Sequence, residues 1–182
     1  MRIPFDKEAA TLLYIGMLTD TGSFRFSNTS SFTHRSAAEL LTYDLDVRKL
    51  YKHAYENVPF ADMQLLSKIL PLIKRQAQGK IVWVELKRSL IQNKRFTFDL
   101  SEHILSFERA IKDVEVAVLF KENLGARNEI RVNFRSQGSV DVNKIARFFG
   151  GGGHKTASGA TIKGTLTQVR KKVLKKISES LK

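Results

Sequence analysis

Residues 130–136 read IRVNFRS, a run in which apolar and polar side chains alternate. This period of two is typical of a β-strand with one buried face, and it places Arg131, Asn133 and Arg135 together on the other face. Residues 114–120 (VEVAVLF) form a second extended run, and a turn-like ENLG separates it from the first. The pattern predicts an antiparallel hairpin.

Helical and extended patterns also alternate in the rest of the C-terminal two thirds. Residues 81–86 read as a strand and residues 101–111 as a helix, and Asp141 is placed to cap a helix over 142–149. Apolar residues at helical spacing over 166–181, with Lys and Arg opposite, predict a closing amphipathic helix. We therefore predict an α/β fold.

The N-terminal third shows helical patterns. Caps at Asp6, at Ser30 or Ser31, and at Asp46 predict three helices, which end near residues 18, 41 and 55. The Phe24-Arg25-Phe26 alternation reads as a short extended piece. An apolar helix over 62–78, kinked by Pro71, would follow. The predicted organisation is a helical part (1–57), a connecting helix (58–79) and a compact α/β domain (80–182).

Charge divides the chain at nearly the same place. Net charge is +13, from 31 Lys and Arg against 18 Asp and Glu. Residues 1–59 hold seven of each sign, and residues 60–182 hold the other 24 basic and 11 acidic residues. Such asymmetry indicates a second part that meets phosphates or another polyanion, although a solvated basic surface would look the same.

Composition narrows the class of protein. Hydrophobic residues make up 42% of the chain, which favours a folded protein over a disordered one. There is no Cys, so disulfides and thiolate metal sites are excluded, as expected of a cytoplasmic protein. The N-terminal apolar run follows acidic residues and has about half the length of a spanning helix, so we expect neither a signal peptide nor a membrane span.

Residues 150–154 read GGGGH, the least ordinary stretch of the chain. Each glycine costs backbone entropy, so four in succession indicate a need for bare backbone. Successive N–H groups there could bind a phosphate, with His154 as an added donor and Arg135 reaching the loop from its strand. The alternatives are a helix C-cap with a flexible tip, for which one glycine suffices, and an exposed strand-end charge for Arg135.

Asp20, in Thr19-Asp20-Thr21-Gly22, follows an apolar helix, where a carboxylate needs a partner. It could bond the backbone in a turn or coordinate a metal. Asp20-Thr21-Gly22 matches the Asp-Thr-Gly motif of aspartic proteases, in which two such aspartates share a proton and each motif lies between strands. Here the motif occurs once and follows a helical run, which argues against a protease.

The wider context resembles the DHH family of phosphoesterases. Residues 13–29 (LYIGMLTDTGSFRFSNT) are similar to the last block of its catalytic domain, in which the aspartate binds manganese. Residues 133–136, 141–154 and 157–160 resemble the DHH-associated substrate domain. Alanyl-tRNA synthetases carry a related domain, but the upstream block containing Asp20 argues against them.

The resemblance is nearest to the oligoribonuclease type, which acts on very short RNA and on 3′-phosphoadenosine 5′-phosphate. It implies that Asp20 is a manganese ligand. It also implies that the substrate, a short RNA or phosphorylated nucleotide, is held by a set of residues in the second domain: Arg135, Ser136, Gly150, Gly151, Gly152, Gly153 and His154.

The sequence departs from the family in one respect. It lacks the region that supplies several aspartates and the Asp-His-His motif, and His34, His53 and His103 read as ordinary surface or core residues. One aspartate cannot hold two metals. We expect part of a longer phosphoesterase or a degenerate homologue, and a chain that neither binds manganese nor turns over substrate by itself. The alternative is a non-catalytic RNA-binding module.

Overall fold

A computed structural model of the chain describes residues 5–91, 100–123, 125 and 128–181. They divide into two compact units, residues 1–58 and 59–182. The fold is mixed α/β, which confirms the predicted class. None of the helices within these ranges is long and apolar enough to cross a membrane.

The first unit is helical. Its helices are α1 (Lys7–Asp20), α2 (Ser31–Leu41) and α3 (Val47–Tyr55). Each begins at its predicted cap: the side chains of Asp6, Ser30 and Asp46 accept backbone N–H groups of the first turn. The buried apolar residues come from α1 and α2, namely Ala10, Tyr14, Leu18, Ala37 and Leu40.

The predicted extended piece at Phe24-Arg25-Phe26 is wrong. Residues 21–25 form a turn in which Ser23 and Phe24 have φ of 60° and 62°. The turn is held by Ser23 N–H donating to the Leu18 carbonyl at 2.7 Å and by Phe24 N–H donating to Thr21 Oγ1 at 3.0 Å. Local hydrogen bonds to a threonine hydroxyl thus override the alternation.

The second unit is built on a six-stranded sheet in the order β1-β2-β3-β4-β6-β5. Only the β2–β3 pair is parallel, and the β3–β4 pair is the predicted antiparallel hairpin. Of the turn predicted at 122–125, Leu124 lies outside the described residues. The strands are β1 (Lys74–Gln76), β2 (Ile81–Leu86), β3 (Val116–Glu122), β4 (Glu129–Ser136), β5 (Gly152–His154) and β6 (Ala157–Lys163).

Helices lie on both faces of this sheet. They are α4 (Phe60–Ile69), α5 (Arg88–Ile91), α6 (Leu100–Arg109), α7 (Val142–Phe148) and α8 (Leu166–Ser180). Helices α7 and α8 pack on one face with the inward residues of β2, β3, β4 and β6, such as Phe120 and Phe134. Helices α4, α5 and α6 pack on the other face, where their apolar side chains meet those of β2 and β3. Helix α6 also reaches the Ser136 end of β4, where Glu102 pairs with Arg135. Among the described residues, the rest of this second face over β4, β6 and β5 has no helical cover.

The predicted connecting helix over 58–79 does not form as one helix. Helix α4 ends at Ile69, a 3₁₀ turn occupies Leu70–Leu72, and Lys74–Gln76 pairs with β2 as an edge strand. Pro71 has no N–H to continue the α-helix, which accounts for the break. Leu65, Leu66 and Ile69 are buried in the second unit, so α4 is part of that unit's core.

Candidate functional site

The uncovered part of the sheet, which we call the open face, carries three rows of residues aligned across the strands. Residues directly opposite one another in antiparallel strands point to the same side of the sheet. The pairing therefore gives a row Arg131 and Thr161, a row Asn133, Gly159 and Gly152, and a row Arg135, Ala157 and His154. The predicted common face of Arg131, Asn133 and Arg135 is confirmed.

Small residues keep the centre of the open face shallow. Gly159 and Gly152 lie side by side beyond Asn133, and Ala157 lies between Arg135 and His154. A Cβ added at Gly159 would lie 2.9 Å from Arg131 Nη2, so this glycine makes room for the guanidinium. The backbone is therefore exposed at Gly152 and covered by the Arg131 guanidinium at Gly159, and two arginines, an asparagine and a histidine surround the two glycines.

Arg135 is held in a defined orientation. Its Nη1 donates to the Phe134 carbonyl at 2.9 Å, and its Nη2 pairs with Glu102 Oε2 at 2.5 Å. Its side chain is 18% exposed, while that of Glu102 on α6 is 42% exposed. The Glu102 carboxylate occupies one donor of this planar guanidinium, which leaves its other donors for an anion.

The glycine segment combines three structural roles with one open position. Gly150, with φ of 76°, ends α7 in a Schellman motif in which the N–H groups of Gly150 and Gly151 donate to the Arg147 and Ala146 carbonyls. A Cβ at Gly151 would lie 2.2 Å from the Gly159 carbonyl oxygen, and Gly153 has φ of 141°. A Cβ at Gly152 would meet nothing within 4 Å.

The segment thus differs from the predicted loop. Gly152–His154 pairs with β6 as an exposed edge strand, so its backbone is extended. The alternative prediction is a helix C-cap followed by a flexible tip. The cap exists at Gly150, whereas Gly152–His154 after it is a strand and not a flexible tip. Of the predicted glycines, Gly152 is the one that lies on the open face at a position where neighbouring atoms would leave room for a side chain.

Ser136 is not part of this arrangement. It lies on the opposite side of β4 from Arg135, is 3% exposed, and its Oγ accepts from Gly138 N–H at 3.3 Å. The period of two requires this, since consecutive strand residues point to opposite faces. The expectation that Ser136 contacts substrate beside Arg135 is therefore corrected. His154, in contrast, is exposed and ends the Arg135 row.

Asp20 lies in the first unit at the end of α1, where it is exposed. Its Oδ2 accepts from Asn28 Nδ2 at 3.0 Å, and this contact replaces the predicted bond to backbone two residues on. No group of three or more His, Asp or Glu side chains that could hold a metal occurs among the described residues. A manganese ion needs more oxygen or nitrogen ligands than this one carboxylate provides, so the described residues alone do not fit it.

Sequence reasoning missed Glu102, Gly159 and Thr161. Glu102 sits on a helix 33 residues from Arg135, and no local pattern indicates that pairing. Gly159 and Thr161 carried a signal, because residues 157–160 (ASGA) are small side chains in an otherwise β-like run.

Comparison with known proteins places this architecture in a family. The DHHA1 domain matches residues 72–182, which include the whole sheet and the open face. The chain belongs to the DHHA1 domain family. This confirms the resemblance to DHH-associated proteins.

The relatives of this DHHA1 protein match the first unit as well. This chain is 35% identical to the bifunctional oligoribonuclease and PAP phosphatase NrnA of Mycoplasma genitalium, over 93% of this chain and 52% of that protein. It is 31% identical to the Thermus thermophilus protein of the same name, over 98% and 53%. An exopolyphosphatase-related protein from Bacteroides fragilis superposes with a TM-score of 0.82 and 27% identity, over 94% of this chain and 51% of that one. The chain spans about half the length of the curated relatives it matches.

Proposed function

We propose that this chain is the C-terminal half of a manganese-dependent phosphoesterase that hydrolyses short oligoribonucleotides or 3′-phosphoadenosine 5′-phosphate, and that the open face holds the substrate's phosphate. The observation that carries the proposal is the exposed backbone at Gly152, on a face that also carries Arg131, Asn133, Arg135 and His154. The names of the M. genitalium and T. thermophilus relatives support the substrate class.

The open face has the chemistry that phosphate recognition needs. Arg131 and Arg135 supply positive charge and planar donors, and Asn133 and Thr161 add neutral polar groups between them. His154 can donate from the edge strand. The missing side chain at Gly152 would let a phosphate approach the backbone directly, and the missing side chain at Gly159 makes room for the Arg131 guanidinium. A short substrate end would thus be oriented by charge-assisted contacts.

The proposal assigns the two units different roles. Residues 1–57 would be the C-terminal part of the DHH catalytic domain, in which Asp20 supplies one manganese ligand. The other ligands would have to come from outside the described residues, which provide no group of three or more ligands. The chain alone would therefore bind substrate without hydrolysing it.

Titration of the chain with 3′-phosphoadenosine 5′-phosphate, by calorimetry or NMR, tests the binding site. We expect Arg135→Ala, His154→Ala and Gly152→Val each to weaken binding, the last because its side chain would stand on the open face. Lys175→Ala, on α8, is the matched control for lost charge. Equal weakening by Lys175→Ala and Arg135→Ala would mean that phosphate binds a diffuse basic surface.

Two further measurements separate the enzyme from the non-catalytic module. A terminal-phosphate site should have a higher affinity per nucleotide for a dinucleotide than for long RNA. A general RNA-binding module should not show this preference. Calorimetry with Mn²⁺ should show no tight site in this chain. Micromolar manganese binding lost in Asp20→Ala would contradict the assignment of the remaining ligands to another segment.

A further inference from the structure

A second positively charged site lies on the helix-covered face of the sheet, between α8 and the edge strand β1. It is a groove of about 570 Å³. Strand β1 is three exposed residues long, and no helix covers it on this face among the described elements, so α8 forms one wall and β1 the other. The side chains that matter are Lys74, Trp83, Arg170, Lys171 and Lys175.

The base of the groove is an aromatic ring with a cation near it from each wall. Lys74 Nζ lies 5.2 Å and Arg170 Cζ 5.0 Å from the centroid of the Trp83 ring. Trp83 is only 8% exposed, so its ring positions these cations and is not free to stack on a base. Arg170 Nη1 is also paired with Glu85 Oε1 at 2.5 Å, which fixes its position.

The lysines of the groove carry uncompensated charge. Lys171 and Lys175 are one helical turn apart on α8, and both are exposed. Glu85 is the only carboxylate that pairs with a cation of the groove among the described contacts, and it pairs with Arg170. Positive charge lined up along a concave channel fits an extended polyanion better than a flat surface.

We propose that this groove binds the phosphodiester backbone of a single-stranded nucleic acid, without reading its bases. The ligand is a strand because the cations line an elongated groove. The lining favours phosphates over bases, because Trp83 is buried and Arg170 is paired with Glu85, which leaves Gln76 as the described side chain of the lining best able to contact a base edge. The groove is distinct from the open face. It lies on the opposite side of the sheet, and β2 and β6 are three strand spacings, about 14 Å, apart.

The groove would retain longer RNA on the protein while the open face takes a short end. A mononucleotide bound at Arg135 could not reach Lys171, so the two sites should respond to different ligands. Retention through a second contact raises the local concentration of strand ends. This role needs only the charges of the groove, and it stands whether or not the open face proves to be a phosphate site.

Fluorescence anisotropy of a labelled oligouridylate of about 20 nucleotides, titrated with the 182-residue chain, tests the proposal. We compare Lys171→Ala/Lys175→Ala with Lys172→Ala/Lys176→Ala, which removes the same charge at the same spacing from another side of α8. The groove variant should bind about tenfold more weakly, with a salt slope smaller by about 1.4, and the control should change less than about twofold. Affinity for 3′-phosphoadenosine 5′-phosphate should be unchanged in both.

Several results would overturn the groove assignment. Equal loss in the two double variants would show a diffuse basic face, and unchanged RNA binding in the groove variant would show no site. If the groove variant kept RNA but lost binding to vesicles containing phosphatidylserine, the groove would serve a membrane surface instead. Loss of nucleotide binding together with RNA would show that the two sites are not separate. Failure of the open face alone would leave the RNA result unaffected.

Discussion

The two faces of the sheet in the second unit use the same strands in different ways. On the face covered by α7 and α8, the inward residues of β4 from Ile130 to Phe134 are apolar and buried, with Phe134 at 0% exposure, and Ser136 is a buried polar residue at the end of the strand. On the other face, α4 and α6 cover β2 and β3, whereas β4, β6 and β5 present polar side chains and glycines. Consecutive residues of β4 therefore alternate between the buried core and the open face.

This difference shows that the helical layers decide where a site can exist. The order of strands extends the sheet beyond the reach of α6, and the open face is what remains. Substitutions on the covered face should change the free energy of unfolding, and those on the open face should change binding.

The largest expected effect is at Phe134. Phe134→Ala removes a fully buried ring between the sheet and the helices, so we expect a loss of about 3–5 kcal/mol in the free energy of unfolding. Phe148→Ala is the matched control, because Phe148 is 66% exposed and contacts Lys176 over its ring. Its cost should be about 1 kcal/mol or less. Similar urea midpoints for the two variants would contradict the contrast between the covered face and the surface.

The second prediction concerns Glu108 on α6, which belongs to the layer over β2 and β3. Glu108 is 0% exposed, and neither carboxylate oxygen has a hydrogen-bond partner in the described structure. Burial raises its pKa from 4.5 to about 9. The folded state holds a proton on Glu108 that the unfolded state releases. The contribution of Glu108 to the free energy of unfolding is therefore fully present below pH 4.5 and is lost as the pH rises towards 9. The slope should be on the order of 1 kcal/mol per pH unit.

Glu108→Gln tests this, because the amide does not titrate. Urea unfolding at a series of pH values should show wild type losing stability relative to the variant between pH 5 and 9. Glu115→Gln gives the opposite sign: hydrogen bonds from Lys80 and Ser139 lower the pKa of Glu115, so its contribution is lost as the pH falls. Parallel pH profiles for wild type and Glu108→Gln would show that this carboxyl is solvated or paired.

Much of the architecture could be predicted from local patterns. The caps at Asp6, Ser30, Asp46 and Asp141 mark real helix starts, and alternation over 130–136 gives the correct faces of β4. These signals depend on neighbouring residues only, so no knowledge of the fold is needed. The same alternation places Ser136 on the face opposite Arg135. Ser136 is among the predicted substrate-binding residues only because residues 133–136 resemble the family.

The remainder depended on tertiary contacts. The edge strands β1 and β5 are three residues long and form only because β2 and β6 offer partners. The ion pair between Glu102 and Arg135 joins helix α6 to the interior strand β4. Glycine and arginine content led to the prediction of a phosphate site, which stays a prediction, and the reason for each glycine needed the backbone geometry.

The glycine pair 151 and 152 separates backbone packing from openness. Gly151→Ala would place a methyl group 2.7 Å from Ala160 Cα and closer still to the Gly159 carbonyl, so the β5–β6 hairpin must shift. We expect a loss of about 1–3 kcal/mol in unfolding free energy. Gly152→Ala meets no atom within 4 Å and should stay within about 0.5 kcal/mol of wild type. Equal thermal stability of the two variants would contradict the close approach of these backbones.

A small effect on stability is also expected at Arg135, next to the most sensitive residue of the strand. Its ion pair with Glu102 is partly exposed, so Arg135→Gln should cost about 1 kcal/mol or less. The same substitution should weaken binding of 3′-phosphoadenosine 5′-phosphate about tenfold, because a charge-assisted contact is lost.

Glu102→Gln should change nucleotide binding in the reverse direction. The carboxylate occupies Arg135 Nη2, so removing its charge releases that donor and should strengthen nucleotide binding a few-fold. In the Arg135→Gln background, Glu102→Gln should have no further effect, and calorimetry on the four proteins measures this coupling. If Glu102→Gln weakens binding as much as Arg135→Gln, the carboxylate orients the guanidinium and does not compete with phosphate for it.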